Sequence, residues 1–283
     1  MESKYITTDD VTLHCKVAGS GKLMILLHGF PEFWYSWRQQ IPALAEHFTV
    51  AVPDMRGYNQ SSKPKGVYHY RPEALVNDVR GLIKALGHEK AIIVGHDWGG
   101  AVAWWFASLY PEMTERLIVL NMPHPAELQK QLLTNWAQLK RSWYIFFFQL
   151  PYLPERYLTK NLRGFFTQAL RGWCYNKNAF SDADIDAYVQ AYNQPGAFTT
   201  PINYYRAAWR YPIKANGRKP VKITAPTLLL FGENDKALGK ELTYNTQNYC
   251  AGSLQILYQP QCSHWIQHEH PSWVSSQILA FCE

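Results

Sequence analysis

Short, nearly unbroken apolar runs alternate along this chain with stretches whose apolar residues recur every three or four positions. Leu23 to Leu27, Phe48 to Val52, Ala91 to Val94 and Arg116 to Asn121 are of the first kind. They predict strands buried on both faces, the signature of a parallel sheet. Ser36 to His47 predicts a helix. So does the stretch opened by Arg71-Pro72, with Leu75, Val79, Leu82, Ile83 and Leu86 on one face and a stop at Gly87. Lys4 to Val17, interrupted at Asp9-Asp10, predicts an opening hairpin. Strand and helix in turn argue for an α/β fold, a mostly parallel sheet with helices on both faces.

After His124 the pattern changes. Segments to Lys214 read as helical, and 20 of the 42 aromatic residues fall between 124 and 215. Strand-like runs resume at Thr227 to Phe231 and Leu254 to Tyr258, and a last helix fits Pro271 to Phe281. The expectation is a core of residues 1–123 and 216–283, split by a helical cap of residues 124–215 inserted after a core strand. An insertion there sits over the strand ends where α/β sheets bind ligands.

Composition narrows the class. With 47% hydrophobic residues in 283, the chain has ample material for a large core. The net charge of +6 is spread out, with no basic run longer than Gly217-Arg218-Lys219, so no nucleic-acid partner is expected. Five cysteines, odd in number and widely spaced, suggest neither a zinc site nor a disulfide framework. No signal-peptide core or membrane-length apolar stretch occurs. The expectation is a chain facing a reducing compartment, cytoplasmic or membrane-associated. Peripheral membrane contact, an anchor ahead of Met1, and the choice of monomer or dimer stay open.

The candidate chemistry begins at Val94-Gly95-His96-Asp97-Trp98-Gly99-Gly100. Strand, sharp turn and helix in that order form a nucleophile elbow, which in its G-x-S-x-G form presents a serine. Here the central residue is Asp97. A serine attacking an epoxide or alkyl halide would be left as an ether that water does not readily cleave. An aspartate forms an ester, which an activated water can hydrolyse. The plain alternative is a glycine turn with an aspartate helix cap.

Two later loops complete a triad in the order nucleophile, acid, histidine. Asp235 follows the strand Thr227 to Phe231, with Glu233 as a rival acid. His264 follows the next strand, with His268 and His270 as rivals. The carboxylate would set the imidazole tautomer, and the imidazole would activate water. The turn His28-Gly29-Phe30-Pro31 follows a buried strand, so the backbone N–H groups of Phe30 and Trp98 are candidates for an oxyanion hole.

These stretches, with Glu32 to Arg38, Asp54-Met55-Arg56-Gly57-Tyr58, Gly232 to Asp235 and Cys262 to Trp265, resemble the α/β-hydrolase-fold epoxide hydrolases over essentially the whole chain. Within that family the chain resembles the animal epoxide hydrolase 3 and 4 group. The resemblance implies two cap tyrosines that protonate the epoxide oxygen. Tyr144, five residues before Gln149, matches one. Tyr205, in Asn203-Tyr204-Tyr205-Arg206, matches the other, with Tyr204 as its rival. Phe30, Trp98 and Gln149 are expected against the substrate, an apolar or lipid epoxide that water opens to a vicinal diol. No cofactor and no metal are implied. Two other readings share parts of this pattern: a haloalkane or haloacid dehalogenase, which has no need of two phenols, and a non-catalytic ligand-binding module, which has no need of an aligned base.

Overall fold

The computed structural model describes residues 1–214 and 216–283. Among them one sheet is formed by β1 (Glu2–Thr7), β2 (Thr12–Ala18), β3 (Leu23–Leu27), β4 (Thr49–Pro53), β5 (Ala91–His96), β6 (Thr114–Leu120), β7 (Thr227–Gly232) and β8 (Leu254–Gln259). The spatial order is β1-β2-β4-β3-β5-β6-β7-β8. The β1–β2 hairpin and the β2–β4 pairing are antiparallel, and all other neighbours are parallel.

Side chains alternate across the sheet, as the two-residue period of a strand requires. Met24, Leu26, Ile92, Val94, Ile118 and Leu120 pack on one face against α1 (Ile41–Ala45) and, from the end of the chain, residues Val274 and Ile278. Ile25, Leu27, Ile93, Leu117 and Val119 face the other side, against α2 (Pro72–Ala85) and α3 (Trp98–Leu109). Every residue of α3 after Trp98 is buried, which is why its sequence carries no polar face.

The expected helix from Ser36 to His47 is broken. A short 3₁₀ turn spans Trp34–Trp37, and α1 restarts at Ile41. Pro42 is the reason: lacking an N–H, it is tolerated only in a helix's first turn.

Between β6 and β7 run α4 (Pro125–Thr134), α5 (Trp136–Arg141), α6 (Trp143–Phe147), α7 (Leu153–Thr159), α8 (Leu162–Phe166), α9 (Asp182–Tyr192) and α10 (Thr199–Arg210). The boundary expected at Ala215 lies outside the described residues. Phe166, Tyr188 and Ile202 of these helices, with Phe198 just ahead of α10, join the same apolar cluster as α2 and α3. Polar ties reinforce the join: the Tyr204 hydroxyl donates to the Arg56 carbonyl at 2.7 Å. After β8 come α11 (Ile266–Glu269) and α12 (Pro271–Cys282), which bears Val274 and Ile278. All five cysteines are free. Among the described residues, no helix is long and apolar enough to cross a membrane.

Candidate active site

Asp97 sits between β5 and α3 with φ 50° and ψ −120°, a left-handed conformation that costs a non-glycine residue roughly 1–3 kcal/mol. The flanking glycines make the turn sterically feasible. A Cβ on Gly95 would strike the Gly99 carbonyl, and one on Gly99 would strike the Leu27 carbonyl. The Asp97 side chain makes no capping bond to α3, so the plain helix-cap alternative fails. Its Oδ1 accepts the Phe30 N–H at 2.8 Å instead. Trp98 is the first residue of α3, where a backbone N–H has no partner within its own helix.

His264 Nε2 lies 3.5 Å from Asp97 Oδ2, and its Nδ1 lies 2.7 Å from Asp235 Oδ2. Asp235 is held from all sides. Asn121 Nδ2 donates to its Oδ2 at 2.8 Å, and the N–H groups of Ala237 and Leu238 donate to its Oδ1 at 2.7 and 3.0 Å. Burial disfavours charge on His264, but Asp235 and Asp97 outweigh it and push the imidazole up to about 10. Burial likewise opposes the Asp235 carboxylate, and His264 reverses that and holds its pKa below the usual range. The rivals are engaged elsewhere. Glu233 pairs with Lys240 at 2.6 Å, His268 with Glu32 at 2.9 Å, and His270 faces Gln259 at 3.3 Å.

A cavity of about 580 Å³ opens above Asp97, with Trp98, Trp105, Leu128, Tyr144, Tyr205 and Trp209 in its wall. Tyr144 and Tyr205 stand edge to face, ring centroids 5.9 Å apart, and Tyr205 leans on Trp98 at 4.8 Å. Burial, with the negative charge of Asp97 behind it, raises both phenols above their ordinary value, so both are neutral acids at pH 7. Tyr204 is spent on Arg56, as described, which leaves Tyr205 facing the cavity.

Two expected substrate contacts come out differently. Gln149 does not reach the cavity wall: its amide donates to the Ile145 and Tyr205 carbonyls at 3.1 and 3.3 Å. Its two acceptors lie on different helices, Ile145 on α6 and Tyr205 on α10, so the amide braces α6 against α10. Phe30 meets the site through its backbone, while its ring packs on Phe148 and Tyr205 at 5.6 and 5.8 Å. Arg206 also locks the two tyrosine helices together. It donates to the Phe148 and Leu150 carbonyls at 2.9 and 2.6 Å and pairs with Glu155 at 2.7 Å.

A buried polar layer beneath the triad was not foreseen. His96 Nε2 lies 2.8 Å from the His264 carbonyl, and its Nδ1 lies 2.8 Å from Glu32. Despite full burial, Glu32 is held well below the usual carboxylate range by His96 and His268. Asn121, at φ 43°, is likewise a site residue that the sequence pattern does not single out. The available signals were a charged residue straight after the His28-Gly29-Phe30-Pro31 turn and an asparagine, which tolerates the left-handed region, at the end of a strand.

The family model described as alpha/beta hydrolase fold matches residues 22–271. The chain belongs to this family of hydrolases, in the branch of the epoxide hydrolases. It is 39% identical to AB hydrolase superfamily protein YfhM of Bacillus subtilis, over 99% of this chain and 98% of that one. It is 38% identical to human epoxide hydrolase 4, over 98% of this chain and 77% of the relative. The crystal structure of a Bacillus megaterium epoxide hydrolase in complex with an inhibitor superposes with a TM-score of 0.90 at 30% identity, over 99% of both chains.

Proposed function

We propose that this chain hydrolyses apolar epoxides to vicinal diols through an ester on Asp97, with α4–α10 acting as a cap over the site. The observation that carries the reading is the placement of Asp97. One of its oxygens is on the Phe30 N–H, the other is beside His264, and two neutral phenols share its cavity.

In the first half-reaction an Asp97 oxygen attacks an oxirane carbon and the carbon–oxygen bond of the ring breaks. The released oxygen takes a proton from Tyr144 or Tyr205. His264 begins as the imidazolium. Ester formation removes the Asp97 charge that helped hold its proton, so the imidazolium restores the phenol and is left a neutral base. In the second half-reaction His264 takes a proton from water, and the hydroxide attacks the Asp97 carboxyl carbon. The N–H groups of Phe30 and Trp98 stabilise the oxyanion. The acyl–oxygen bond breaks, the diol leaves with the carboxyl proton, and the charges return to their starting places. Apolar walls around the cavity favour apolar epoxides. The dehalogenase reading leaves the two phenols without a task, and the binding-module reading leaves the aligned imidazole without one.

Single turnover in heavy-oxygen water tests the ester. The first diol should carry unlabelled oxygen from Asp97, with the label left in the enzyme carboxylate. Labelled diol in that first turnover would show direct attack by water and overturn the proposal.

A further inference from the structure

Among the described residues, fifteen large apolar side chains are exposed, and eight of them fall between residues 133 and 157. Among them are Leu133, Trp136, Trp143, Phe146, Tyr152 and Tyr157, each 41–80% exposed. All lie between α4 and α7, and ring contacts tie several of them together in what we call a ridge. Trp143 and Tyr157 flank Phe147 at 5.8 and 6.0 Å, and Phe146 touches Trp209 at 5.9 Å. Trp209, itself exposed, is also part of the cavity wall, so through Phe146 and Trp209 the ridge meets the opening above Asp97. Monomeric proteins rarely leave so much contiguous apolar surface in water, and a patch of this kind marks a contact.

The charges around the ridge indicate what it contacts. Residues 130 to 160 carry Lys130, Lys140, Arg141, Arg156 and Lys160 and one acid, Glu155; Glu155 is paired with Arg206, and of the cations Arg141 is paired with Glu241 at 2.9 Å. Lys130, Lys140, Arg156 and Lys160 are exposed, and the Lys140 ammonium lies 5.5 Å over the Trp136 ring. Tryptophan and tyrosine mixed with lysine and arginine suit the boundary between lipid headgroups and acyl chains. Rings enter the boundary, and ammonium groups meet anionic headgroups.

We propose that this ridge docks the protein on an anionic lipid surface, with the mouth of the Asp97 cavity turned toward the bilayer. An apolar substrate dissolved in the membrane would then enter without crossing water. The docking goes beyond the reading of the reaction and stands whatever chemistry the site performs, because its test contains no substrate.

The probe is a set of sonicated vesicles, either phosphatidylcholine alone or phosphatidylcholine with one third phosphatidylglycerol, sedimented with the full chain. The chain should sediment with the anionic vesicles, with a blue shift of tryptophan emission, and much less with the neutral ones. Lys140→Gln/Lys160→Gln should weaken that binding by roughly twenty-five-fold, since each lysine near such a surface contributes about fivefold. Trp143→Ser/Tyr157→Ser should lose the binding and the blue shift. Unchanged melting temperatures would show that both variants fold. Absence of binding by the parent chain, or equal binding by folded variants, would overturn the proposal. A dimer in analytical ultracentrifugation that Trp143→Ser/Tyr157→Ser dissolves, with no vesicle binding, would assign the ridge to a second copy of the chain instead.

Discussion

Replacing Asp235 by asparagine removes one charge and almost no volume, yet it should stop the second half-reaction. All four partners of the carboxylate are donors: two backbone N–H groups at 2.7 and 3.0 Å on Oδ1, and Asn121 Nδ2 and His264 Nδ1 at 2.8 and 2.7 Å on Oδ2. An asparagine offers one acceptor oxygen and one amide that can only donate. The backbone N–H groups do not move, so the oxygen must face them and the amide must face His264. Asn121 does not readily rotate to help, because its Oδ1 accepts the Gly232 N–H at 3.1 Å. His264 is then forced to present a bare Nδ1 and to carry its proton on Nε2, where it has no lone pair for water. The same tautomer error in a serine protease triad costs about 10⁴ in rate, equivalent to about 5 kcal/mol. Alkylation takes its nucleophile from Asp97 and its proton from a phenol, and the imidazolium acts only afterwards to restore that phenol, so one round of alkylation should survive. The assay is intact-protein mass spectrometry beside steady-state diol formation. Asp235→Asn should accumulate protein one substrate mass heavier while diol formation falls about 10⁴-fold. Glu233→Gln, which disturbs only the contact with Lys240, should behave as the parent. Turnover by Asp235→Asn within tenfold of the parent, or loss of turnover in Glu233→Gln alone, would refute the reasoning.

Tyr144→Phe and Tyr205→Phe should each slow alkylation by up to the ~10²–10⁴-fold typical of a positioned acid. The double variant should be nearly inactive on epoxides, and full epoxide turnover by it in stopped-flow alkylation would disprove the assigned acids. His264→Gln should trap the ester while His268→Gln does not, and the reverse pattern by mass spectrometry would move the base. Arg206→Met strands the Glu155 carboxylate and two carbonyls, so it should cost about 3–5 kcal/mol by denaturant titration and slow alkylation; an unchanged midpoint would show that the clamp is idle. His264 has its pKa raised from 6.5 to about 10, so its pairing contributes fully below pH 6.5 and is lost as pH rises through 10. The melting temperature should therefore fall between pH 7 and 10, and less so in His264→Gln; parallel curves would contradict the pairing.

Much of this protein is written locally. The runs Leu23 to Leu27 and Ala91 to Val94 are apolar on both faces because both faces of their strands are covered. That makes the parallel sheet legible without coordinates. The elbow is legible for the same reason, since Gly95 and Gly99 occupy positions where a Cβ collides with backbone a few residues or one strand away. Order along the chain was enough to nominate Asp97, Asp235 and His264, because loops at successive strand ends converge on one edge of a parallel sheet. What tertiary structure alone decided concerns side chains whose competitors are close in sequence but point elsewhere. Glu233 and Asp235 are two residues apart, and only folding turned one to Lys240 and the other to His264. Tyr204 and Tyr205 are adjacent on α10, and the helical twist sent one to the Arg56 carbonyl and the other to the cavity. Gln149 went to the Ile145 and Tyr205 carbonyls because folding set α6 beside α10. The layer of Glu32, His96 and His268 joins residues more than sixty and more than two hundred positions apart, and no local pattern records a pairing of that range.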